Sequence, residues 1–247
     1  MFYSGLVSIS FRDHSPEKIL WAASRFQLKY VEWGSDIHAP CQDLEKLRSI
    51  VALQNRYGIS CSSYGTYFRL GHSDISELPQ YIQAAKILGT SILRIWAGRK
   101  KALDCTKEER DKLFVEARRA VAIAEQHGVI LCLECHRRTY TETKEGALEL
   151  MEAIHSPNFR MYWQPNPDIS LSQNLDYIAL LNSYITHLHV FHWTKDQRHP
   201  LIDGLEEWKA YLSALSGNHH LLLEFMPDDR IQSLATEAEA LEELIRT

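Results

Sequence analysis

Short apolar runs alternate with longer amphipathic ones along this chain. Eight of the short runs read as strands: Gly5-Leu-Val-Ser-Ile9, Leu28-Lys-Tyr-Val-Glu-Trp33, Ile59-Ser-Cys-Ser-Ser63, Ser91-Ile-Leu-Arg-Ile-Trp96, Val129-Ile-Leu-Cys-Leu-Glu134, Phe159-Arg-Met-Tyr-Trp163, Ile185-Thr-His-Leu-His-Val-Phe191 and His219-His-Leu-Leu-Leu-Glu224. They recur about every 30 residues, the length of one strand–helix unit. Several show little polar alternation, as strands covered on both faces of a parallel sheet do.

Helical segments fill the gaps, and many carry start or stop residues. Ser15-Pro-Glu-Lys predicts an N-cap with proline at the first helical position. Thr106-Lys-Glu-Glu opens a long helix the same way, with Glu109 placed to close a capping box on Thr106. Gly58, Gly89 and Gly128 each stand between a helical pattern and a strand, where a left-handed residue ends a helix. Between Thr106 and Gly128, Leu113, Ala117, Ala120, Val121 and Ala124 form one apolar face, and 143–154 and 231–245 behave alike. No linker rich in proline, glycine or serine breaks the series, so the pattern predicts one domain over residues 1–247. Strict alternation implies a parallel sheet with right-handed crossovers, and eight such units close most economically into a (β/α)₈ TIM barrel. A doubly wound open sheet is the alternative, disfavoured because no glycine-rich phosphate loop follows the first strand.

Composition and charge narrow the partners. Of 247 residues, 45% are hydrophobic and 24% charged, an ordinary globular balance that needs no disulfide or structural metal. The formal net charge is −5, and Arg99-Lys100-Lys101 and Arg137-Arg138 are too short to form a basic footprint, so no nucleic-acid partner is expected. No apolar stretch approaches the roughly 18 residues of a membrane span. The amino terminus, Met1-Phe-Tyr-Ser-Gly-Leu-Val-Ser-Ile, has no charged n-region or cleavage pattern. A cytoplasmic protein without a membrane partner is expected.

Five cysteines, an odd number with no regular framework, predict free thiols. Cys132-Leu-Glu-Cys135 matches CxxC, which raises a zinc or redox role. It lies in a strand-like run, however, and three positions along a strand put two side chains on opposite faces. A shared metal or disulfide is thereby disfavoured.

In a barrel of this kind, inward side chains at the carboxyl ends of the strands carry the chemistry. Four successive strands supply ligand types there: Glu134 on strand five, Gln164 on six, His189 on seven and Glu224 on eight. Singly, each has an ordinary explanation. A glutamate after a strand often only begins a loop, and a histidine within one is more often a hydrogen-bonded core residue. Together they predict a shared site, and carboxylate, amide and imidazole donors suit one divalent ion, Mn²⁺, Co²⁺, Mg²⁺ or Zn²⁺.

Five segments carry a family resemblance by their order and spacing. They are Tyr30-Val-Glu-Trp-Gly-Ser-Asp-Ile-His38, Ser62-Ser-Tyr-Gly-Thr-Tyr-Phe-Arg-Leu-Gly71, Leu93-Arg-Ile-Trp-Ala-Gly98, Leu133-Glu-Cys-His136 and His187-Leu-His-Val190. Over essentially its whole length the chain resembles the xylose-isomerase-like barrels. This broad group of sugar-phosphate isomerases and epimerases also holds inosose dehydratases, ketose 3-epimerases and endonuclease IV. The resemblance implies one divalent ion held by Glu on strand five, Asp on six, His on seven and Glu on eight. Glu134, His189 and Glu224 match. Strand six departs: Gln164-Pro-Asn-Pro167 stands where the group has Asp with His three residues later. Gln164 offers a carbonyl oxygen without charge, which implies a stronger Lewis acid held more weakly. Too few His and Asp ligands can be placed for the three zinc ions of endonuclease IV.

The expected activity is that of a metal-dependent isomerase or epimerase of a sugar, sugar phosphate or polyol derivative. Glu134 and Glu224 would exchange protons with either face of a metal-stabilised enediolate. An inosose-dehydratase-like lyase uses the same residues, and a non-catalytic sugar-binding barrel is the reading from another class. The expected partner is a small carbohydrate, with self-association left open. Candidates to hold it are Glu32 and His38, which with Asp36 follow strand two, Arg94 in strand four, His136, Lys195 and Arg198. Arg94, as a buried cation, needs a partner and equally suits a structural ion pair. The aromatics Trp33, Tyr64, Tyr67, Trp96 and Trp163 lie near the same strand ends, as packing or as platforms for a sugar face.

Overall fold

A computed structural model describes residues 1–195 and 197–246 of the chain. In sequence order the main elements are β1 (Phe2–Val7), α1 (Pro16–Arg25), β2 (Tyr30–Gly34), α2 (Leu44–Tyr57), β3 (Ser60–Leu70), α3 (Leu78–Leu88), β4 (Ile92–Ala97) and α4 (Lys107–His127). They continue with β5 (Ile130–Glu134), α5 (Lys144–Ile154), β6 (Phe159–Trp163), α6 (Leu171–Leu181), β7 (Ile185–Val190), β8 (His192–Thr194), β9 (Gln197–His199), α7 (Leu205–Ser213), β10 (His219–Leu223) and α8 (Leu234–Arg246). Eight strands pair in parallel in the closed order β1-β10-β7-β6-β5-β4-β3-β2. Phe2 to Leu6 run beside His219 to Leu223 and complete the ring. The expected (β/α)₈ barrel is therefore the observed one.

Local chemistry explains why the elements begin and end where they do. Ser15 accepts the Lys18 N–H at 3.3 Å ahead of Pro16. Thr106 and Glu109 form the reciprocal capping box expected of them, worth about 1 kcal/mol to α4. Gly58, Gly89 and Gly128 close α2, α3 and α4 with φ of 66°, 87° and 64°, angles that a side chain would strain. β3 outruns its predicted end by several residues, because after an irregularity between Gly65 and Arg69 it pairs again with β4. The polar stretch after β7 forms an antiparallel hairpin, β8 with β9, that the apolar pattern did not announce.

Two apolar layers hold the barrel. Inward residues Val7, Cys132, Tyr162 and Leu222 form a small cluster inside it, while a much larger one lies between strands and helices. Cys132 belongs to the inner cluster and Cys135 to the outer, so the two sulfurs point apart as strand parity requires. All five cysteines are free. No helix among the described residues is long and apolar enough to cross a membrane.

Glu237 on α8 ties the turn Leu201–Gly204 to the last helix. Its carboxylate accepts the Leu201 N–H at 3.0 Å and is 5% exposed. Burial pushes its pKa up to about 7, against the pull of that hydrogen bond, and Asp203 and Asp228 add to the rise. The folded chain then keeps a proton that the unfolded chain, near 4.5, has given up, so stability falls as pH rises from about 4.5 to about 7. Glu237→Gln keeps an acceptor and removes that slope. Scanning calorimetry should find its Tm a few degrees above wild type at pH 8 and close to it at pH 5; an equal gain at both pH values would contradict this account.

Candidate active site

Strand parity delivers the polar side chains to one end of the barrel. Glu134 is the last residue of β5 and points inward with Cys132 two positions before it. Gln164 follows β6, His189 lies in β7, and Glu224 follows β10. Around His189 Nδ1, Gln164 Oε1 stands at 2.9 Å, Glu224 Oε2 at 3.5 Å and Glu134 Oε1 at 3.6 Å. Donors about 2.1 Å from a common ion sit about 3.0 Å apart at right angles and about 3.4 Å apart at tetrahedral angles. The three distances from His189 Nδ1 are close to that measure, and the Glu134, His189 and Glu224 donors lie within 4.8 Å of one another.

A buried ion triad lies beneath this cluster. Arg94 is 2% exposed; its Nε donates to Glu32 Oε1 at 2.8 Å and its Nη1 to Glu134 Oε2. Trp96 Nε1 donates to the same Glu134 oxygen. Glu32 also accepts from Ser63 Oγ at 2.9 Å, and its Oε2 stands 3.6 Å from His189 Nε2, beyond hydrogen-bond reach. Among the described residues no hydrogen-bond partner reaches that buried imidazole nitrogen. Burial works to raise the pKa of Glu32, yet Arg94 and His189 bring it down to about 2. Burial acts the same way on Glu134, and Arg94 and His189 again prevail, holding it well below the usual carboxylate range. For His189, burial opposes the charged form, but Glu224, Glu134 and Glu32 lift it to about 10. Glu224 is raised, chiefly by burial, with repulsion from Glu134 and Glu32 set against His189 and Arg94.

Above the cluster opens a cavity of about 200 Å³. Tyr67 and Trp96 form one wall, and Phe191, Trp193 and Phe225 stand on the opposite side of the barrel. Arg12, His136 and Arg137 reach it from loops. Arg12 is tied to Asp36 at 2.5 Å and to the Tyr67 hydroxyl at 2.7 Å, and Arg137 to Asp168 at 3.3 Å.

The structure thus brings together Glu134, Gln164, Glu224, Arg94 and His136 at the cavity, with His189 below. It places other candidates elsewhere. Glu32 is not in the loop after strand two but within β2, fully buried on Arg94. His38 is buried between Ser8 Oγ and the His14 carbonyl, both at 3.2 Å, away from the cavity. Lys195 sits exposed at the hairpin tip, where it lines a neighbouring groove. Arg198 packs over Trp193 and Phe225 and pairs with Asp229, so it braces the wall rather than facing inward. Trp33, Tyr64 and Trp163 are buried in the outer core. Sequence reasoning missed Arg12, Arg137, Phe191, Trp193 and Phe225 as cavity residues. Phe225 had one available clue, its place directly after Glu224. Its left-handed φ of 56° and the bond from its N–H to Ser10 Oγ appear only in three dimensions.

Fold and site together define a (β/α)₈ barrel with a carboxylate–imidazole–amide cluster at the carboxyl ends of its strands. The family model described as xylose isomerase-like TIM barrel matches residues 21–245, and the chain belongs to that family. It is 26% identical over 121 residues to the 3-dehydroshikimate dehydratase of Bacillus anthracis. That match covers 47% of this chain and 41% of that protein, less than half of the relative's length. The crystal structure of the probable 3-DHS dehydratase AsbF from Bacillus anthracis aligns with a TM-score of 0.82 at 21% identity, over 98% of this chain and 99% of that one. D-psicose 3-epimerase with D-tagatose, from Clostridium cellulolyticum H10, aligns with a TM-score of 0.72 at 13% identity, over 99% and 98%. At these identities the two structures share the fold.

Removing the buried cation strands two carboxylates. Arg94→Met should lower stability by about 3–5 kcal/mol at neutral pH, the usual cost of breaking a buried ion pair from one side. Denaturant titration measures it, and a loss below about 1 kcal/mol would mean that the triad is not the internal brace described.

Proposed function

We propose that this protein is a divalent-metal-dependent enzyme that moves a proton at a carbon next to a carbonyl. Its substrate is a small polyhydroxylated molecule, and its activity that of an isomerase or epimerase of a sugar, sugar phosphate or polyol derivative. The observation that carries this reading is the convergence of Glu134, Gln164 and Glu224 oxygens on His189 Nδ1 at 2.9 to 3.6 Å, at the floor of the cavity. Those four residues would hold the ion. When bound, it supplies Lewis-acid polarisation of substrate oxygens.

The chain's own residues account for the remaining tasks. Glu134 and Glu224 are the carboxylates at the cavity floor and the candidates for acid–base work. Trp96 and Tyr67 on one side, with Phe191, Trp193 and Phe225 on the other, exclude water and offer flat surfaces to the C–H faces of a sugar. Arg12, His136 and Arg137 provide donors for hydroxyl or anionic groups at the mouth. A dehydratase is the second reading, favoured by the likeness to 3-dehydroshikimate dehydratase in sequence and fold. Loss of a hydroxyl beta to the abstracted proton uses the same carboxylates.

Calorimetric titration with Mn²⁺, Co²⁺, Mg²⁺ and Zn²⁺ tests the metal, and should find one ion per chain. Gln164→Ala should weaken it. Gln164→Asp should tighten it about tenfold or more, since a carboxylate beside a dication gains over about 1.4 kcal/mol even at an effective dielectric near 20. Equal binding by all three proteins would make Gln164 a bystander. If none binds, the enzyme reading gives way to a sugar-binding barrel. Deuterium uptake from D₂O across ketoses, ketose phosphates and 3-dehydroshikimate then separates proton return from loss of water.

A further inference from the structure

The two glutamates of the cluster are held very differently. Glu134 Oε2 accepts from both Arg94 Nη1 and Trp96 Nε1, while its Oε1 faces His189 Nδ1 at 3.6 Å. Two donors hold Oε2, while Oε1 is outside hydrogen-bond reach of that nitrogen and turned to the cluster. Arg94 is itself fixed, because Glu32 holds its Nε at 2.8 Å and Ser63 holds Glu32 at 2.9 Å. Tyr162 then donates to Ser63 at 2.5 Å, which extends the chain of bonds to β6. The backbone leaves room for this pair at one point: a Cβ on Gly65 would stand 2.7 Å from Glu32 Oε1 and 2.8 Å from Arg94 Nη2. Glu224 stands three strands away round the barrel and lines the cavity. Its Oε2 lies 3.5 Å from His189 Nδ1, and among the described residues no hydrogen-bond donor otherwise reaches its carboxylate.

We propose that proton transfer at carbon runs through Glu224 alone, with Glu134 a fixed member of the cluster and Arg94 and Trp96 positioning residues that keep it so. This rests on the proton-transfer reading above and selects among its outcomes, because one base serves one face of the substrate. A proton leaves the carbon next to the carbonyl for a Glu224 oxygen, and the C–H electron pair becomes the carbon–carbon π bond of an enolate. Two completions balance. In the first, Glu224 returns the proton to the former carbonyl carbon on the same face, and the hydroxyl proton of the first carbon crosses to the former carbonyl oxygen, giving the isomeric α-hydroxy carbonyl compound. In the second, the enolate electrons re-form the carbonyl, the new π bond shifts toward the beta carbon, and the C–O bond there breaks. The departing hydroxide takes the proton from Glu224 and leaves as water. Inversion at one carbon, which needs a proton from the other face, is excluded by this assignment.

The test has a substrate-free arm and a turnover arm. In ¹⁵N-labelled protein the Trp96 indole N–H, assigned by Trp96→Phe, should resonate downfield because it donates to a carboxylate. It should stay there on loading with Zn²⁺, and should move in Glu134→Gln but not in Glu224→Gln. An upfield move on loading would show that Glu134 has released Oε2 and overturns the proposal. For turnover, deuterium entry from D₂O is followed on 3-dehydroshikimate and D-psicose, with each protein saturated with Mn²⁺. Glu224→Gln should lose about a hundredfold or more. Glu134→Gln should bind Mn²⁺ about tenfold more weakly or worse, and once saturated should lose less exchange than Glu224→Gln. Equal losses, or inversion at the exchanging carbon by wild type, overturn the assignment. If wild type neither binds metal nor exchanges either probe, the functional reading itself falls and takes this proposal with it.

Discussion

A guanidinium sealed inside the barrel wall governs this end of the molecule. Taking such a charge out of water costs several kcal/mol, and only close carboxylates with good geometry return it. Glu32 from β2 and Glu134 from β5 do so for Arg94 of β4. Ser63 and the bare backbone of Gly65 bring β3 into the same knot. Four neighbouring strands are thereby fixed in depth as well as in register. The orientation of Glu134, and through it the shape of the donor cluster, follows from a need to neutralise charge rather than from any demand of a ligand. The site is rigid on the β2–β5 side for a reason that belongs to folding.

The β7–β10 side is built on other principles. There the walls are aromatic, Phe191, Trp193 and Phe225, carried on a short hairpin and on a strained residue just after the strand. Arg198 lies over two of these rings and anchors them to Asp229. Packing and cation–π contact are weaker and more adaptable than a buried ion triad. The cavity therefore combines an electrostatic floor with an aromatic wall held by packing and cation–π contact.

The barrel was legible because eight apolar runs and their caps each specify one local unit, and the units have one economical closure. Parity along a strand was also legible. Once Glu32 and Tyr162 are inward, Trp33 and Trp163 must face the helices, which is where they lie. Depth along the barrel axis was not legible. Glu32 and His38 are only six residues apart, yet one is inside the barrel beneath the cluster and the other is locked between Ser8 and His14. Nothing in residue type distinguishes a glutamate that ends at the cavity floor, as Glu134 does, from one that ends below it. The cavity walls escaped for a related reason. Trp193 and Phe225 sit in non-periodic segments whose direction is set by tertiary contacts such as the Phe225 N–H bond to Ser10.

Charge also gives a physical account of why an amide can stand at strand six. Glu32, Glu134 and Glu224 are all nearly inaccessible to solvent, and Arg94 is the cation sealed among them. Ionised together, and with His189 neutral as a metal-binding imidazole must be, the three acids exceed that cation by two negative charges, the amount one divalent ion would cancel. A carboxylate in place of Gln164 would put a further negative group 2.9 Å from His189 Nδ1, within reach of Glu134 and Glu224. In a buried site each uncompensated carboxylate costs several kcal/mol. The neutral carbonyl oxygen of Gln164 keeps the donor position and avoids that cost. On this argument an amide at strand six is compatible with the proposed ion, because Glu32 supplies a third acid beneath the cluster, where it faces His189 Nε2 and pins Arg94.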